Sequence, residues 1–181
     1  MVNLSEFDNS QFKRGAPVWK EFLWRVIQQG LFNIEWLKMY GMKCRILQSL
    51  GARLGHGVVV KPKARITFPW KLSIGTNTWI GEDAWLLNLE QITIGANVCI
   101  SQRAFLCTGS HNWSEPSFDL ITKPIVIEDG VWVCANVFVG PGVTIGKNSV
   151  VKVGSVVTED LPPDMICEGN PCVPDKERSF G

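Results

Sequence analysis

Histidine is scarce in this sequence, and neither sign of charge is in excess. The chain of 181 residues contains two histidines, and its 18 basic and 17 acidic residues leave a formal net charge of +1. Without an excess of positive charge the chain lacks the electrostatic footprint of a nucleic-acid-binding protein, so we expect no nucleic-acid partner. Two histidines are also too few for a site that needs three histidine ligands, and no metal requirement is expected.

Long apolar runs and paired cysteine motifs are missing as well. No stretch approaches 18 uninterrupted apolar residues, and the N-terminus lacks the basic start, apolar run and small-residue cleavage site of a signal peptide. The six cysteines form no CxxC motif and have no histidine at metal-ligand spacing. These absences predict a cytoplasmic protein whose reduced thiols pack as small apolar side chains.

What the sequence does contain is a six-residue repeat. An aliphatic residue recurs at every sixth position, in groups of three that are separated by a step of eight in the first half of the chain. The fifteen positions are Leu54, Val60, Ile66, Ile74, Ile80, Leu86, Ile94, Ile100, Leu106, Ile127, Val133, Val139, Ile145, Val151 and Val157. A period this short is the signature of a solenoid, in which each unit buries its apolar side against its neighbours.

Each six-residue unit predicts a short strand followed by a tight corner. Alternate strand residues point to the same side, which places the aliphatic residue and the residue two before it in one core. Residues that tolerate a left-handed backbone conformation, such as Asn77, Asn97 and Asn148, occupy the corners. Three strands and three corners form one triangular coil. We therefore predict an all-β solenoid, a parallel β-helix of about five triangular coils, over residues 54–160.

The segment before the repeat has a helical pattern instead. Apolar residues at helical spacing, including Trp19 and Phe22, predict helices within residues 1–53 that are broken near Gly30 or Gly41. Two interpretations stay open for this N-terminal helical cap. It covers the open end of the coils, or it rests as an interfacial helix on the inner membrane surface.

The segment after the repeat, residues 161–181, is predicted to be a C-terminal tail. Pro162 and Pro163 have no backbone N–H groups to donate to a strand ladder. We therefore expect these two residues to end the coils.

The repeat is interrupted between Leu106 and Ile127. The step there is 21 residues where eight is usual, which predicts an inserted loop over about 109–122. A long loop on a rigid scaffold is more often functional than accidental. This loop contains His111, and a neutral imidazole can remove a proton from a hydroxyl group. The interruption therefore makes His111 a candidate functional residue.

The repeat resembles that of the hexapeptide-repeat acyltransferases. The resemblance is nearest to the acetyltransferases of the colanic-acid-biosynthesis type, and it rests on the segments "FDNSQF", "RITFPWKLSIG", "ITIGANVCISQRAFLCTGSHNW", "PIVIEDGVWV" and "VVTEDLPPDMICEGNPC". It implies a left-handed β-helix, an acetyl-CoA co-substrate and a homotrimer with coenzyme A in a groove between subunits. It also implies the role of His111 as general base in O-acetylation of a sugar hydroxyl of a bacterial exopolysaccharide or surface glycan precursor. The expected acceptor is a small-molecule or lipid-linked saccharide.

The resemblance also assigns residues to the coenzyme. The positions that match the family's coenzyme contacts are Trp132, Ala135, Val153, Thr158 and Lys176. The sequence departs from the family pattern at Cys134, where glycine is usual, and at Glu159 and Val173, where basic residues often meet the coenzyme phosphates. The candidates to replace those basic residues are Lys147, Lys152, Lys176 and Arg178.

The acceptor side of the site is less well defined by the resemblance. Some relatives use an asparagine at an earlier corner, where this chain has Gly81. Asn88 is a candidate to replace it, although a turn-forming role fits the residue equally well. Asn112 and Trp113 follow the histidine and are further candidates for contacts to a saccharide, although Trp113 fits equally well as a residue that packs the loop onto the coils.

Two other functions stay open at this stage. The same chemistry would suit an acetyltransferase of a free sugar, an amino sugar or an antibiotic, because the loop composition does not separate these acceptors. The other alternative is a scaffold β-helix without catalysis, which would have unbroken coils and no base at the interruption.

Overall fold

The chain folds into the predicted left-handed parallel β-helix with an N-terminal helical segment. The structure, a computed structural model, describes residues 2–34 and 39–179. The predicted N-terminal cap therefore includes five residues, 1 and 35–38, that lie outside the described part of the chain.

Nine strands form the first three coils. Their bounds are Arg53–Leu54 (β1), Val59–Val60 (β2), Arg65–Ile66 (β3), Leu72–Ile74 (β4), Trp79–Ile80 (β5), Trp85–Leu87 (β6), Ile92–Ile94 (β7), Cys99–Ile100 (β8) and Phe105–Cys107 (β9). The chain then leaves the coils as a hairpin of β10 (Gly109–His111) and β11 (Leu120–Thr122), which pair antiparallel. The inserted loop predicted at about 109–122 is this hairpin.

Two further coils follow the hairpin. Their strands are Ile125–Ile127 (β12), Trp132–Val133 (β13), Phe138–Val139 (β14), Thr144–Ile145 (β15), Val150–Val151 (β16) and Val156–Val157 (β17). Parallel pairing between coils produces three flat faces of the prism. The first face has the order β1-β4-β7-β12-β15, the second face contains β2-β5-β8-β13-β16, and the third face has the order β3-β6-β9-β14-β17.

The core is the stack of predicted aliphatic residues. Fourteen of the fifteen are buried, and Leu54 in the first coil is half-buried. Strand register places equivalent residues directly above one another, as for Ile74, Ile94 and Ile127 on the first face. The predicted corner residues Asn77 and Asn97 have positive φ angles, 56° and 55°. The repeat therefore determines both the strands and the corners that join them.

The N-terminal helices cover the open end of the first coil. They are α1 (Val18–Ile27), which continues as a π-helical turn to Phe32, and α2 (Tyr40–Ser49). Trp24, Phe32 and Leu47 are fully buried in the same core as the coils. The indole N–H of Trp24 donates to the carbonyl oxygen of Ile66 over 2.7 Å. These contacts bury apolar surface and satisfy strand-edge polar groups that the first coil would otherwise expose.

Pro162 and Pro163 do not end the second face. Beyond them, β18 (Met165–Gly169) pairs parallel with β16, and β19 (Cys172–Glu177) pairs antiparallel with β18. The prediction that the prolines stop the ladder is wrong on this face. The ladder resumes because the prolines occupy the corner before β18, where no strand N–H is required.

Candidate active site

The hairpin β10–β11 is fixed to the coils at its base. Thr108 is buried, and both its backbone N–H and its hydroxyl donate to the carbonyl oxygen of Leu87, over 3.1 and 2.8 Å. Directly after β11, the N–H of Lys123 donates to the carbonyl oxygen of Thr108 over 3.0 Å. The hairpin therefore projects from a rigid corner between the third and first faces, and its strands hold residues 109–111 in a defined register.

His111 lies in a cradle formed by Phe118, two residues before β11. Its Nδ1 atom is 2.8 Å from the carbonyl oxygen of Phe118, and the Phe118 ring stacks on the imidazole with centroids 4.3 Å apart and an angle of 3°. A carbonyl oxygen only accepts, so Nδ1 carries the proton in the neutral ring. The lone pair of that tautomer is on Nε2, at the opposite side of the ring. The backbone of Phe118 has a φ of 52°, an uncommon conformation for a phenylalanine.

The N-terminal arm, residues 2–12, reaches the same histidine. Phe7 lies 5.8 Å from the His111 ring, centroid to centroid, at an angle of 53°. The N–H of Asn3 donates to the carbonyl oxygen of Pro116 at the tip of the hairpin over 2.8 Å. Sequence reasoning missed Phe7 and Phe118 as site residues, because neither belongs to the repeat. The segment "FDNSQF" contains Phe7 and was the available signal.

Two acceptor candidates lie beside the histidine at the start of the hairpin tip. Trp113 is 81% exposed, so one face of its indole is open to a ligand. Asn112 is half-buried, and its side-chain oxygen accepts a hydrogen bond from the Ser114 hydroxyl over 2.6 Å. Opposite Asn112, one carboxylate oxygen of Asp119 is buried without a hydrogen-bond partner among the described residues. An unpaired buried oxygen of this kind is uncommon in folded proteins.

The structure does not support Asn88 as an acceptor-binding residue. Its side chain is fully buried and makes four hydrogen bonds within the protein. The side-chain oxygen accepts from the N–H groups of Thr67 and Phe68, and the amide group donates to the carbonyls of Phe68 and Lys71. Asn88 therefore shapes the wide corner of the second coil, and no polar atom is left for a ligand.

Close stacking of the coils explains why Gly81 stands where some relatives have asparagine. A Cβ atom at this position would lie 2.6 Å from the backbone carbon of Ser101 in the next coil. Carbon atoms do not approach this closely without displacement of one of them. The corner therefore excludes any side chain.

The cofactor candidates lie along two sides of the prism. Trp132 is on the outer surface of the second face, and its indole N–H donates to the Ser101 hydroxyl over 2.9 Å. Lys176 is on the edge strand of that face, and Ala135 and Val153 are at its corner with the third face, where the N–H of Gly154 donates to the Ala135 carbonyl. Thr158 follows β17, at the edge from which the hairpin projects two coils earlier. One chain does not bring these five residues into a single cluster.

Two of the candidate phosphate-binding residues are already engaged. The Lys152 ammonium contacts the carboxylates of Glu168 and Asp175 over 2.6 and 3.4 Å. The Arg178 guanidinium donates to the carbonyl oxygens of Gly130 and Asn148. Lys147 and Lys176 are exposed, and neither side chain has an ion-pair or hydrogen-bond partner among the described residues. These two lysines are therefore better placed than Lys152 and Arg178 for a ligand phosphate.

Cys107 is a structural residue. It is buried at the end of β9, and its thiol donates to the carbonyl oxygen of Gly109 over 3.1 Å. Burial raises the pKa of the Cys107 thiol, which disfavours the thiolate that a nucleophile requires. Within the described residues no group of three or more His, Cys, Asp or Glu side chains is arranged to hold a metal ion. The reactive group that the geometry presents is the imidazole of His111.

Comparisons with known proteins agree with this geometry. Residues 124–159 match the model of the bacterial transferase hexapeptide family, which describes six repeats. The chain is 41% identical over 178 residues, 98% of each chain, to a protein of Escherichia coli (strain K12) named as the colanic acid biosynthesis acetyltransferase WcaF. This chain belongs to the hexapeptide-repeat acetyltransferases. The resemblance stated from the sequence is therefore confirmed.

Solved structures of other acetyltransferases share this fold. The acetyltransferase VCA0836 of Vibrio cholerae O1 biovar eltor, solved in complex with acetyl coenzyme A, matches with a TM-score of 0.81 and 31% identity over 99% of this chain and 100% of that one. A maltose O-acetyltransferase from Clostridium difficile 630 matches with a TM-score of 0.82 and 28% identity over 90% of this chain and 88% of that one. Like these relatives, this protein is an acetyltransferase enzyme.

Proposed function

We propose that this protein transfers the acetyl group of acetyl-CoA to a sugar hydroxyl of a bacterial exopolysaccharide or surface glycan precursor, with His111 as general base. The observation that carries the proposal is the hydrogen bond from Nδ1 of His111 to the Phe118 carbonyl, because it leaves Nε2 as the proton acceptor. The name of the E. coli relative supports a glycan acceptor, and the acetyl coenzyme A complex of the V. cholerae relative supports the donor.

The reaction requires one proton acceptor and no covalent enzyme intermediate. Nε2 of His111 takes the proton of the acceptor hydroxyl as the hydroxyl oxygen bonds to the thioester carbonyl carbon. The carbon–sulfur bond then breaks, and the imidazolium returns the proton to the departing coenzyme thiolate. While the ring is positively charged, the Phe118 carbonyl continues to accept from Nδ1 and stabilises the charge.

The proposed coenzyme site lies between two copies of the chain in a homotrimer. The five cofactor candidates are divided between the second face, its corner with the third face and the edge that carries the hairpin, which supports a groove completed by a neighbouring subunit. Light scattering on the purified protein should therefore give three times the chain mass of 20.2 kDa. A monomer with full activity would contradict this arrangement.

Acceptor choice is the decisive test of the proposed function. The purified protein would be incubated with acetyl-CoA and, in separate reactions, with a glycan repeat-unit oligosaccharide, free maltose and an amino sugar. Thiol release measures turnover, and mass spectrometry with alkaline ester hydrolysis identifies O-acetylation. We expect turnover on the oligosaccharide to exceed that on the free sugars. Preference for a free sugar or for an amino group would replace the proposed acceptor, and absence of acetyl-CoA binding would favour a scaffold.

Helix α1 supports a peripheral membrane contact as a second property. Val18, Trp19, Phe22 and Val26 are each more than half exposed on its outer surface, and Arg25 lies beside them. Apolar residues flanked by basic ones suit an interface with anionic lipids. None of the helices among the described residues is long and apolar enough to cross a bilayer.

Vesicle flotation tests this membrane contact. Wild type should float with anionic vesicles, and a Trp19→Ser, Phe22→Ser double variant should not. Trp79→Ser serves as the control, because Trp79 is similarly exposed but lies on the second face of the prism. Equal flotation of wild type and the double variant would remove this property and leave the capping role of the helices.

A further inference from the structure

A cleft between α1 and the third face is separate from the candidate active site. It has a volume of about 350 Å³, which lies within the usual range of small-molecule sites. Its lining includes Arg25, Gln28 and Gln29 from the helical cap and Arg65 and Trp85 from the first two coils. No acidic side chain lines it in the described part of the chain. Its electrostatic character is therefore that of an anion-binding site.

Arg65 is held in position by an aromatic ladder. Its guanidinium lies over the Trp85 ring, 4.4 Å from the centroid, and Trp85 in turn stacks on Phe105 with centroids 4.5 Å apart and an angle of 14°. The three residues occupy equivalent positions in successive coils of the third face. A guanidinium that stacks through its face keeps its N–H donors at the edge, where they can bind a carboxylate or phosphate.

The charges around Arg65 leave it available for a ligand. Within the described residues, no carboxylate lies at ion-pair distance from its guanidinium. Arg25, across the cleft, is bound to Glu21, but Glu21 is shared with Arg14. The cluster of Glu21 with its two arginines therefore keeps a positive charge, which adds to that of Arg65.

The cleft lies close to the root of the catalytic hairpin. Leu87 lines the cleft, and its carbonyl oxygen accepts both hydrogen bonds from Thr108. Thr108 directly precedes β10, and His111 is three residues further, roughly 10 Å along an extended strand. A saccharide of several units could therefore have one sugar at His111 and another in the cleft.

We infer that this cleft binds an anionic group of the acceptor, and that the acceptor is an acidic oligosaccharide. The anion is a uronate carboxylate or a sugar phosphate, and Arg65 binds it through the edge of its guanidinium. Trp85 and Phe105 hold that guanidinium flat, and Arg25 adds positive charge. This inference rests on the proposed function for its catalytic end, whereas the cleft itself binds without acetyl-CoA.

The test compares matched saccharides and matched arginines. Calorimetry without acetyl-CoA would measure the binding of a uronate-containing oligosaccharide, its carboxyl-reduced neutral analogue and a phosphorylated analogue. Arg65→Gln removes the charge and the donor fork of Arg65 and leaves those of Arg25. Arg53→Gln is the control, because Arg53 is an exposed arginine that opens a two-residue strand of the same coil on the first face. Arg65→Lys keeps the charge without the planar fork, and thermal melting of each variant verifies folding.

We expect wild type and Arg53→Gln to bind at least one acidic saccharide about tenfold more tightly than the neutral analogue, as a charge-assisted bidentate contact would provide. Arg65→Gln should lose this preference, and Arg65→Lys should keep part of it. The acidic saccharide whose advantage disappears identifies the anion. Equal binding of acidic and neutral saccharides by wild type, or a preference that survives in folded Arg65→Gln, would overturn the inference.

The same experiment separates the cleft from the catalytic proposal. If an acidic saccharide binds in a way that depends on Arg65 but is not acetylated, the anion-binding role of the cleft is supported and the proposed function is refuted. If the enzyme acetylates saccharides without any preference for acidic ones, the proposed function is supported and the anion-binding role of the cleft is refuted.

Discussion

Phe118 contacts His111 in two ways at once, through a carbonyl oxygen 2.8 Å from Nδ1 and through a ring stacked 4.3 Å from the imidazole. The first contact determines the tautomer, and the second limits rotation of the ring. Both come from one residue, whose φ of 52° turns its carbonyl and its side chain toward the histidine. The hairpin therefore orients the base through Phe118, and no carboxylate contacts the imidazole among the described residues.

Removal of the imidazole should abolish most of the activity and leave the fold intact. His111→Ala is expected to lower kcat by roughly 10² to 10⁴, the usual contribution of a positioned general base. Its KM for acetyl-CoA should change little, because the imidazole acts mainly in the transition state. Steady-state kinetics and thermal melting verify both parts. A variant that keeps a third of wild-type kcat on a true acceptor would show that His111 has another role.

Loss of the Phe118 ring should displace the His111 imidazole without removing it. In Phe118→Ala the carbonyl remains but the stack is lost, and we expect kcat to fall about tenfold, because a small displacement of a catalytic group is costly. Phe118→Leu retains apolar bulk and should restore part of the loss. The measurement is kcat and KM for both substrates. Unchanged kcat in Phe118→Ala would mean that the hydrogen bond alone positions the ring.

The N-terminal arm should contribute to activity more than to stability. Its short 3-10 helix, Leu4–Glu6, has no buried residue, so truncation of residues 1–8 should shift the melting temperature little. The same truncation removes Phe7 from the His111 ring and the Asn3 contact to Pro116, and we expect a fall in kcat. Phe7→Ala should reproduce that fall, whereas Leu4→Ala, at a residue 69% exposed, should not. Equal kcat in the two point variants would refute the role of Phe7.

Glu21 should make the stability of the helical cap depend on pH. Burial works to raise the pKa of this carboxyl group, but the hydrogen bonds and charges of Arg14 and Arg25 outweigh it and hold the pKa below its ordinary value. A lowered folded-state pKa gives stability that is present above the unfolded-state pKa and is lost as pH falls through the folded-state value. Glu21→Gln should therefore destabilise the protein at pH 7 by about 1–3 kcal/mol, with a smaller difference in acid.

Denaturant unfolding at pH 7 and in acid, below the ordinary carboxyl range, measures this effect. Glu82→Gln is a suitable control, because Glu82 is an exposed carboxylate at a corner of the coils. A destabilisation by Glu21→Gln that is the same at both pH values would show that the side chain acts through packing rather than charge.

Much of the scaffold could be predicted from the sequence alone. The six-residue period is a local signal, and the stacking of each unit on the equivalent unit of the next coil converts it directly into register, so Ile74 lies above Ile94. Corner residues such as Asn77 were predictable for the same reason, since the backbone conformation required there recurs in each unit. The position of His111 at the interruption of the period was equally visible.

The surroundings of the base were decided by the tertiary structure. Phe7 and His111 are 104 residues apart and belong to no repeat, so no periodicity indicates that they meet. Asn88 looked available in the sequence, but four hydrogen bonds bury it in its own corner. Pro162 and Pro163 were predicted to end the coils, but the chain returns to the second face after them. A repeat determines contacts between neighbouring units, whereas the N-terminal arm, the hairpin and the antiparallel strand β19 are positioned by contacts that occur only once in the molecule.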